Sequence, residues 1–342
     1  MKSFHLSIKF IIIIIILICL LYLDFITGFV KIPFNEILKY FFNPSAVSEE
    51  YYILIKEFRL PRVVVALIAG ASLSVSGLLM QTIFRNPLAG PYVLGVSSGA
   101  SLGVALVVMG GSGIALKAGL NPGSHVVLLL SAGLGSALVL SIILAISSRV
   151  RDILSVLITG ILIAGVVSSV VSILQYFATD INVKSFVVWT MGSLHSVSFS
   201  DITVLFPLVL LTTIFIYIFS KKLNLLLGGE NFAISMGVKF KSLRIISFIT
   251  VSILTGAITA YCGPIGFIGI AVPHIARWIF NTSDHFVLIP ASIIIGGIFI
   301  LGGDIISCSF TENGILPINA ITAILGAPFI IWVVIKNKRT MV

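Results

Sequence analysis

The chain has 342 residues, of which 58% are hydrophobic and only 10% are Asp, Glu, Lys or Arg, with a formal net charge of +9. A soluble domain carries about 25% charged residues, so the polar side chains here are too few to cover a water-facing surface, and the mean hydropathy of +1.19 agrees. A disordered chain, a collagen, a secreted disulfide scaffold and an ordinary soluble enzyme are excluded, as is an outer-membrane barrel, because the apolar runs are continuous rather than alternating; an all-α polytopic membrane protein remains.

Each span needs roughly 20 apolar residues, and the runs between charged or Pro/Gly-rich breaks predict ten of them. The first, 8–29, begins like a signal peptide, with Lys2 and Lys9 ahead of Ile11 to Leu21. No small-residue cleavage site follows, and Ile18 before Cys19 is too large for lipoprotein processing, so it reads as a retained span. The others are 61–84, 92–109, 125–148, 153–176, 202–220, 243–262, 264–280, 286–306 and 317–335. The third is short, and the eighth starts directly after Gly263-Pro264.

Ten spans put both termini on one side. That side holds fourteen cations: Lys2, Lys9, Arg85, Arg149, Arg151, Lys221, Lys222, Lys239, Lys241, Arg244, Arg277, Lys336, Lys338 and Arg339. The other holds seven, Lys31, Lys39, Lys56, Arg59, Arg62, Lys117 and Lys184, offset by Asp24, Glu36, Glu49, Glu50, Glu57, Asp180, Asp201 and Glu312. Cations collect on cytoplasmic loops, so the expected topology is N-in, C-in. The basic balance is then an orientation signal and requires no nucleic acid.

Small residues recur at helix-packing spacing: Gly70, Ser74 and Gly77; Gly95, Gly99 and Gly103; Ser131 and Gly135; Gly296 and Gly297 with Gly302 and Gly303. In lipid such residues let backbones approach closely. Cys19, Cys262 and Cys308 show no metal-ligand spacing and read as small packed hydrophobes. There is no HExxH, GxSxG or GxxxxGK[ST] motif, so any ATPase would be another polypeptide. His274 and Asp304 are the only clear ionisable candidates within spans, where charge is costly.

Two segments between spans stand out. Glu57-Phe-Arg-Leu-Pro-Arg62 places two arginines at the outer mouth of the second span, with Pro61 suited to a first helical turn. The arginines fit either interfacial anchoring or docking of an acidic partner. The second is the cytoplasmic stretch from Lys221 to Arg244, too long for a turn. Glu230 to Met236 is expected to form a short helix stopped by Gly237, with Phe232, Ala233 and Met236 on one face. That face suits either the bilayer surface or a groove on a partner.

Read with their surroundings, these segments resemble the permease subunit of binding-protein-dependent ABC importers for iron chelates, haem and cobalamin, the FecCD type. The resemblance spans about residues 50–335. It rests on Arg59-Leu-Pro-Arg62, Gly70-Ala-Ser-Leu-Ser-Val-Ser-Gly77, Gln81, Arg85-Asn-Pro-Leu-Ala89 and Leu94-Gly-Val-Ser-Ser-Gly-Ala-Ser-Leu-Gly103. It continues through Trp189-Thr-Met-Gly-Ser-Leu194, Gly229-Glu230, Met236-Gly-Val238, Gly263-Pro-Ile-Gly-Phe-Ile-Gly269 and Val272-Pro-His-Ile-Ala-Arg277. Asp284-His285, Leu288-Ile-Pro290, Asp304 and Leu325-Gly-Ala-Pro328 close the pattern.

The resemblance implies a homodimer in the bacterial cytoplasmic membrane, joined by two cytoplasmic ABC ATPases and an external binding protein that delivers an iron complex or, in the same family, cobalamin. It gives Arg59 and Arg62 to the binding protein, and Gly229, Glu230, Phe232, Ala233, Met236 and Gly237 to the ATPase. A further arginine often follows the Asp304-like residue by four positions; Cys308 stands there instead. Gly90-Pro91 likewise follows the RNPLA segment, where Asp is usual. Gly95, Ser97, Ser98 and Gly99, with Gly263, Pro264 and Gly266, fall to the translocation path or to close packing. His274 reads as packing or capping, and neither cofactor nor metal ligand is expected. Spans two to five and seven to ten form an expected inverted repeat. The competing readings are a stand-alone secondary carrier and a membrane enzyme, the latter lacking any catalytic constellation in the sequence.

Overall fold

The computed structural model describes residues 2–28, 30, 32–110, 124–150, 152–310 and 314–337. Lys31, Lys117, Arg151, Glu312, Lys338 and Arg339 of the charge count lie outside the described residues, as does Phe29 at the end of the first predicted span.

All regular structure among the described residues is helical. In order, α1 is Lys2–Ile26, α2 Phe34–Phe42, α3 Glu49–Phe84, α4 Val96–Gly110, α5 His125–Arg149, α6 Ile153–Phe177 and α7 Asp180–Thr190. Then come α8 Phe199–Ile218, α9 Ser220–Leu226, α10 Glu230–Ser235, α11 Phe240–Cys262, α12 Ile268–Phe280, α13 His285–Ser309 and α14 Ile318–Asn337. Among the described residues, seven helices (α1, α3, α5, α6, α8, α11 and α13) are long and apolar enough to cross a membrane. The shorter apolar α4, α12 and α14 fall on the other predicted spans.

Local chemistry sets the ends. Asp152 caps α6 by accepting from the Leu154 and Ser155 amides, and these bonds with the Ser155 hydroxyl hold its carboxyl below the usual range. Ser198 and Asp201 form a reciprocal capping box at α8. Pro61 falls in the first turn of the α-helical Leu60–Phe84 segment, as its sequence context predicted, but that turn is not the start of the helical chain. The chain is already helical from Glu49, and a π turn over Leu54–Arg59 comes directly before the Leu60–Phe84 segment. A π turn rearranges the backbone ladder where a proline withdraws a donor, which lets the helix run through.

The interior is built around α3, with 83% of its apolar window buried against 6% for α1. Small residues make this possible. A Cβ on Gly70 would strike the Gly296 backbone, one on Gly77 that of Gly269, and Ser74 Oγ donates to the Ser292 carbonyl at 2.7 Å. The stripes Gly99–Gly103 and Ser131–Gly135 meet each other where α4 crosses α5. At the periphery, α1 exposes Ile11, Ile15 and Ile18, and α6 exposes Ile161, Leu162 and Val166. Such faces suit lipid or another apolar chain.

Candidate functional site

Two different polar networks meet the Leu60–Phe84 segment of α3, Arg62 in one at its start and Thr82 in the other near its close. At 1.5 Å per residue they are about 30 Å apart.

At the first end Arg62 is buried. Its Nε lies 3.0 Å from Asp304 Oδ2 and its Nη2 3.2 Å from Asp24 Oδ1. Nη2 also donates to the carbonyls of Asp24 (2.5 Å) and Thr27 (3.0 Å), and Nη1 to Cys308 Sγ at 3.4 Å. Arg59 is buried as well and donates to the Val30 carbonyl at 2.8 Å. Both arginines assigned by resemblance to an external partner are therefore bonded inside this conformation, beneath the chain that leaves α1. One cation tied to two carboxylates joins α1, α3 and α13. His195, in the loop between α7 and α8, completes the group with Nε2 at 3.6 Å from Asp304 Oδ1.

At the other end the bonds are made by neutral groups and one acid. Asn224 of α9 donates to Asp284 Oδ1 at 2.7 Å, which fixes its amide orientation. Its Oδ1 then accepts from the His285 backbone N–H at 2.8 Å and faces His285 Nδ1 at 2.7 Å. His285 Nε2 meets Thr82 Oγ1 at 2.8 Å. This relay runs from α9, through the start of α13, into the last turn of α3.

After α9, the short helix α10 forms where the sequence expected one. Gly237 terminates it at φ +83°: the Val238 amide donates to Ala233 O (2.9 Å) and the Gly237 amide to Ile234 O (2.9 Å). The expected common face of Phe232, Ala233 and Met236 divides. Ala233 turns inward and is fully buried, whereas Phe232 and Met236 are exposed together with Ile234. Glu230 borders an open groove of 880 Å³ lined also by Arg149, Lys239, Lys241 and Arg244. Arg244 is itself buried and donates to the carbonyls of Ser147 and Val150.

Between the ends lie the two backbone breaks that precede α4 and α12. Tyr92 Oη bonds the Ile265 carbonyl and accepts from the Ile265 amide at 3.1 Å, so the breaks touch directly. Asn319 Oδ1 accepts from Gly266 N at 2.9 Å, and Gly263 lines a 420 Å³ cavity with Trp189, Tyr261 and His125. The Pro264 carbonyl faces Gly192. Gly95 ends the turn before α4 at φ +68°, Ser98 Oγ returns to its carbonyl at 2.9 Å, Ser97 is half-buried and Gly99 packs on Gly135. His274 Nε2 sits 2.8 Å from the Pro87 carbonyl, a structural contact.

Sequence reasoning missed Asp24, His195, Thr82 and Asn224. Asp304 stands out as an acid inside a span, whereas Asp24, also within the predicted span 8–29, counts only among the outer acids. The arginines were visible, but not their internal partners.

The FecCD transport family profile matches residues 13–336. The hemin transport system permease protein HmuU of Yersinia pestis is 34% identical, covering 87% of each chain. The vitamin B12 import system permease protein BtuC of Klebsiella pneumoniae is 32% identical, over 85% of each. A solved structure described as an inward-facing metal-chelate type ABC transporter aligns with TM-score 0.82 and 28% identity, over 96% of this chain and 99% of that one.

Proposed function

The chain belongs to the FecCD transport family, and from that premise we propose that it is the permease subunit of a binding-protein-dependent ABC importer carrying an iron complex, a ferric siderophore or haem, across the bacterial cytoplasmic membrane. It is an integral membrane transport component, and ATP hydrolysis belongs to a separate subunit. The observation that carries the mechanism is the relay Asn224–His285–Thr82, which ties the loop helix α9, directly ahead of α10, to the interior helix α3.

In this reading the exposed Phe232, Ile234 and Met236 of α10 seat in a groove on the ATPase, with Gly229, Glu230, Ala233 and Gly237 shaping that helix. The basic groove beside it faces acidic groups of the same partner. A displacement of α10 on ATP binding passes through Asn224 into the spans. The external binding protein docks at the opposite end. There its carboxylates would take over Arg59 and Arg62 from the Val30 carbonyl, Asp24 and Asp304 as the mouth opens. A second copy of the chain completes the path along exposed faces such as that of α6. The half-buried Ser97 and Ser98, with the Gly263–Gly266 break, contribute small side chains that grip cargo weakly.

Ten spans with N-in, C-in topology and an inverted repeat fit the arrangement of breaks. The second member of each proposed repeat, α4 or α12, is short and follows a Gly-Pro pair, Gly90-Pro91 or Gly263-Pro264. Interrupted helices at matching positions are the expected mark of such repeats. Likewise α3 packs on α13, and α11 on α5, so the first helix of each half meets the third of the other.

Reconstitution in liposomes tests this. Uptake of haem or ferric siderophore that requires the ATPase, ATP and the binding protein is expected. Gradient-driven uptake by the permease alone would overturn it in favour of a secondary carrier. Uptake of labelled cobalamin in preference to iron complexes would move the cargo to the other branch, to which the B12 permease similarity points.

A further inference from the structure

We propose that His195, Asp304 and Cys308 form a site for a borderline divalent cation of the Zn²⁺ class, at the end of the bundle where α13 meets the loop between α7 and α8. This goes beyond the importer reading and does not rest on it.

The three groups supply one imidazole nitrogen, one carboxylate oxygen and one sulfur, all within 4.8 Å of one another. His195 Nε2 stands 3.6 Å from Asp304 Oδ1 and 3.8 Å from Cys308 Sγ. A tetrahedral ion with bonds of about 2.0–2.3 Å sets its ligand atoms roughly 3.3–3.7 Å apart; the two His195 separations already approach that range, and Asp304 and Cys308 must draw together from within 4.8 Å. A mixed N, O and S donor set selects Zn²⁺, Co²⁺ or Fe²⁺ over Mg²⁺ or Ca²⁺, which take oxygen alone.

The scaffold is pre-arranged. Asp304 and Cys308 lie four residues apart on α13 and share a face. The loop carrying His195 is pinned just ahead of it: the Ser193 amide donates to Cys262 O at 2.8 Å, the Asn319 amide to Met191 O at 3.3 Å, and Leu194 is buried. Arg62 acts from behind the ligands. Its Nε holds Asp304 Oδ2 and so leaves Oδ1 toward His195, while its Nη1 offers a thiolate at Cys308 a charge-assisted hydrogen bond. Arg59 and Arg62 oppose a cation, and the Asp304 carboxyl beside Arg62 partly offsets them. The solvent-facing side of His195 leaves a fourth position for water or for a donor on a passing chelate.

The test uses the full-length permease in nanodiscs with Cys19→Ser and Cys262→Ser, so that Cys308 is the only thiol. Co²⁺ is expected to give a thiolate charge-transfer band that Zn²⁺ displaces. His195→Ala should weaken Co²⁺ binding 10–100-fold, and Cys308→Ser should abolish the band, with both variants still eluting as folded protein. Zn²⁺ should also slow maleimide labelling of Cys308. Absence of the band, unchanged affinity in His195→Ala, or labelling indifferent to Zn²⁺ would each overturn the site. Asp304→Asn is avoided because it disturbs the buried ion pair that joins the helices.

Discussion

At Arg62 and at Thr82, α3 is fastened to α13 by opposite means. At Arg62 the fastening is ionic: a guanidinium with 3% side-chain exposure lies between the carboxylates of Asp24 and Asp304. At Thr82 it is a relay of ordinary hydrogen bonds through His285 and Asn224, ending on one acid. An ionic knot is all-or-none, since removing one member strands the others in low dielectric. A hydrogen-bonded relay can break one link at a time at modest cost. On the importer proposal, the ionic network would open only when a partner supplies replacement charge, whereas the hydrogen-bonded one would yield to smaller displacements.

The largest effect should come from Arg62→Ala, which leaves two buried carboxylates without their cation. A loss of about 3–5 kcal/mol is expected, read as a large fall in the thermal unfolding midpoint in detergent. The comparison sharpens if Arg62→Met with Asp24→Asn and Asp304→Asn regains most of that loss. If the single variant is harmless, the ionic description of this end is wrong. Next in size is Gly99→Leu, which drives a side chain into the Gly135 backbone. About 1–3 kcal/mol of destabilisation should follow, measured by the same melt.

Asn224→Ala should cost about 1–3 kcal/mol for the stranded polar partners. Its more telling readout is coupling: ATP hydrolysis in the assembled transporter should persist while transport per ATP falls. Equal loss of both would argue that Asn224 is only structural. Smallest in stability is Phe232→Asp with Met236→Asp on the exposed face of α10, within about 0.5 kcal/mol. Co-purification with the ATPase should nonetheless fall sharply; an intact complex would place the docking face elsewhere.

Much of this architecture was legible in the sequence because lipid imposes a simple code. The apolar run 125–148 became helix His125–Arg149, and 153–176 became Ile153–Phe177, since chain interruptions coincide with caps such as Asp152. The small-residue stripes marked real crossings for the same reason: only glycine admits backbones so close. The amphipathic pieces α2, α7 and α9 were not legible, being short and lying between spans. Nor was the Arg62 knot. Asp24 and Asp304 stand far from Arg62 along the chain, and an arginine at a span end looks the same whether it faces water, a lipid headgroup or a buried acid. Pro61 marked the start of the α-helical segment, but the π turn ahead of it has no compositional signature.

The Tyr92 phenol deserves a mechanical reading. It clasps both the carbonyl and the amide of Ile265, so one side chain rivets the break before α4 to the break before α12. Beside the packing of α3 on α13 and of α11 on α5, this clasp obliges the two breaks to move together or the Tyr92 bonds to open. The Ile265 amide should therefore be among the slowest in its loop to exchange with deuterium, and Tyr92→Phe should release it.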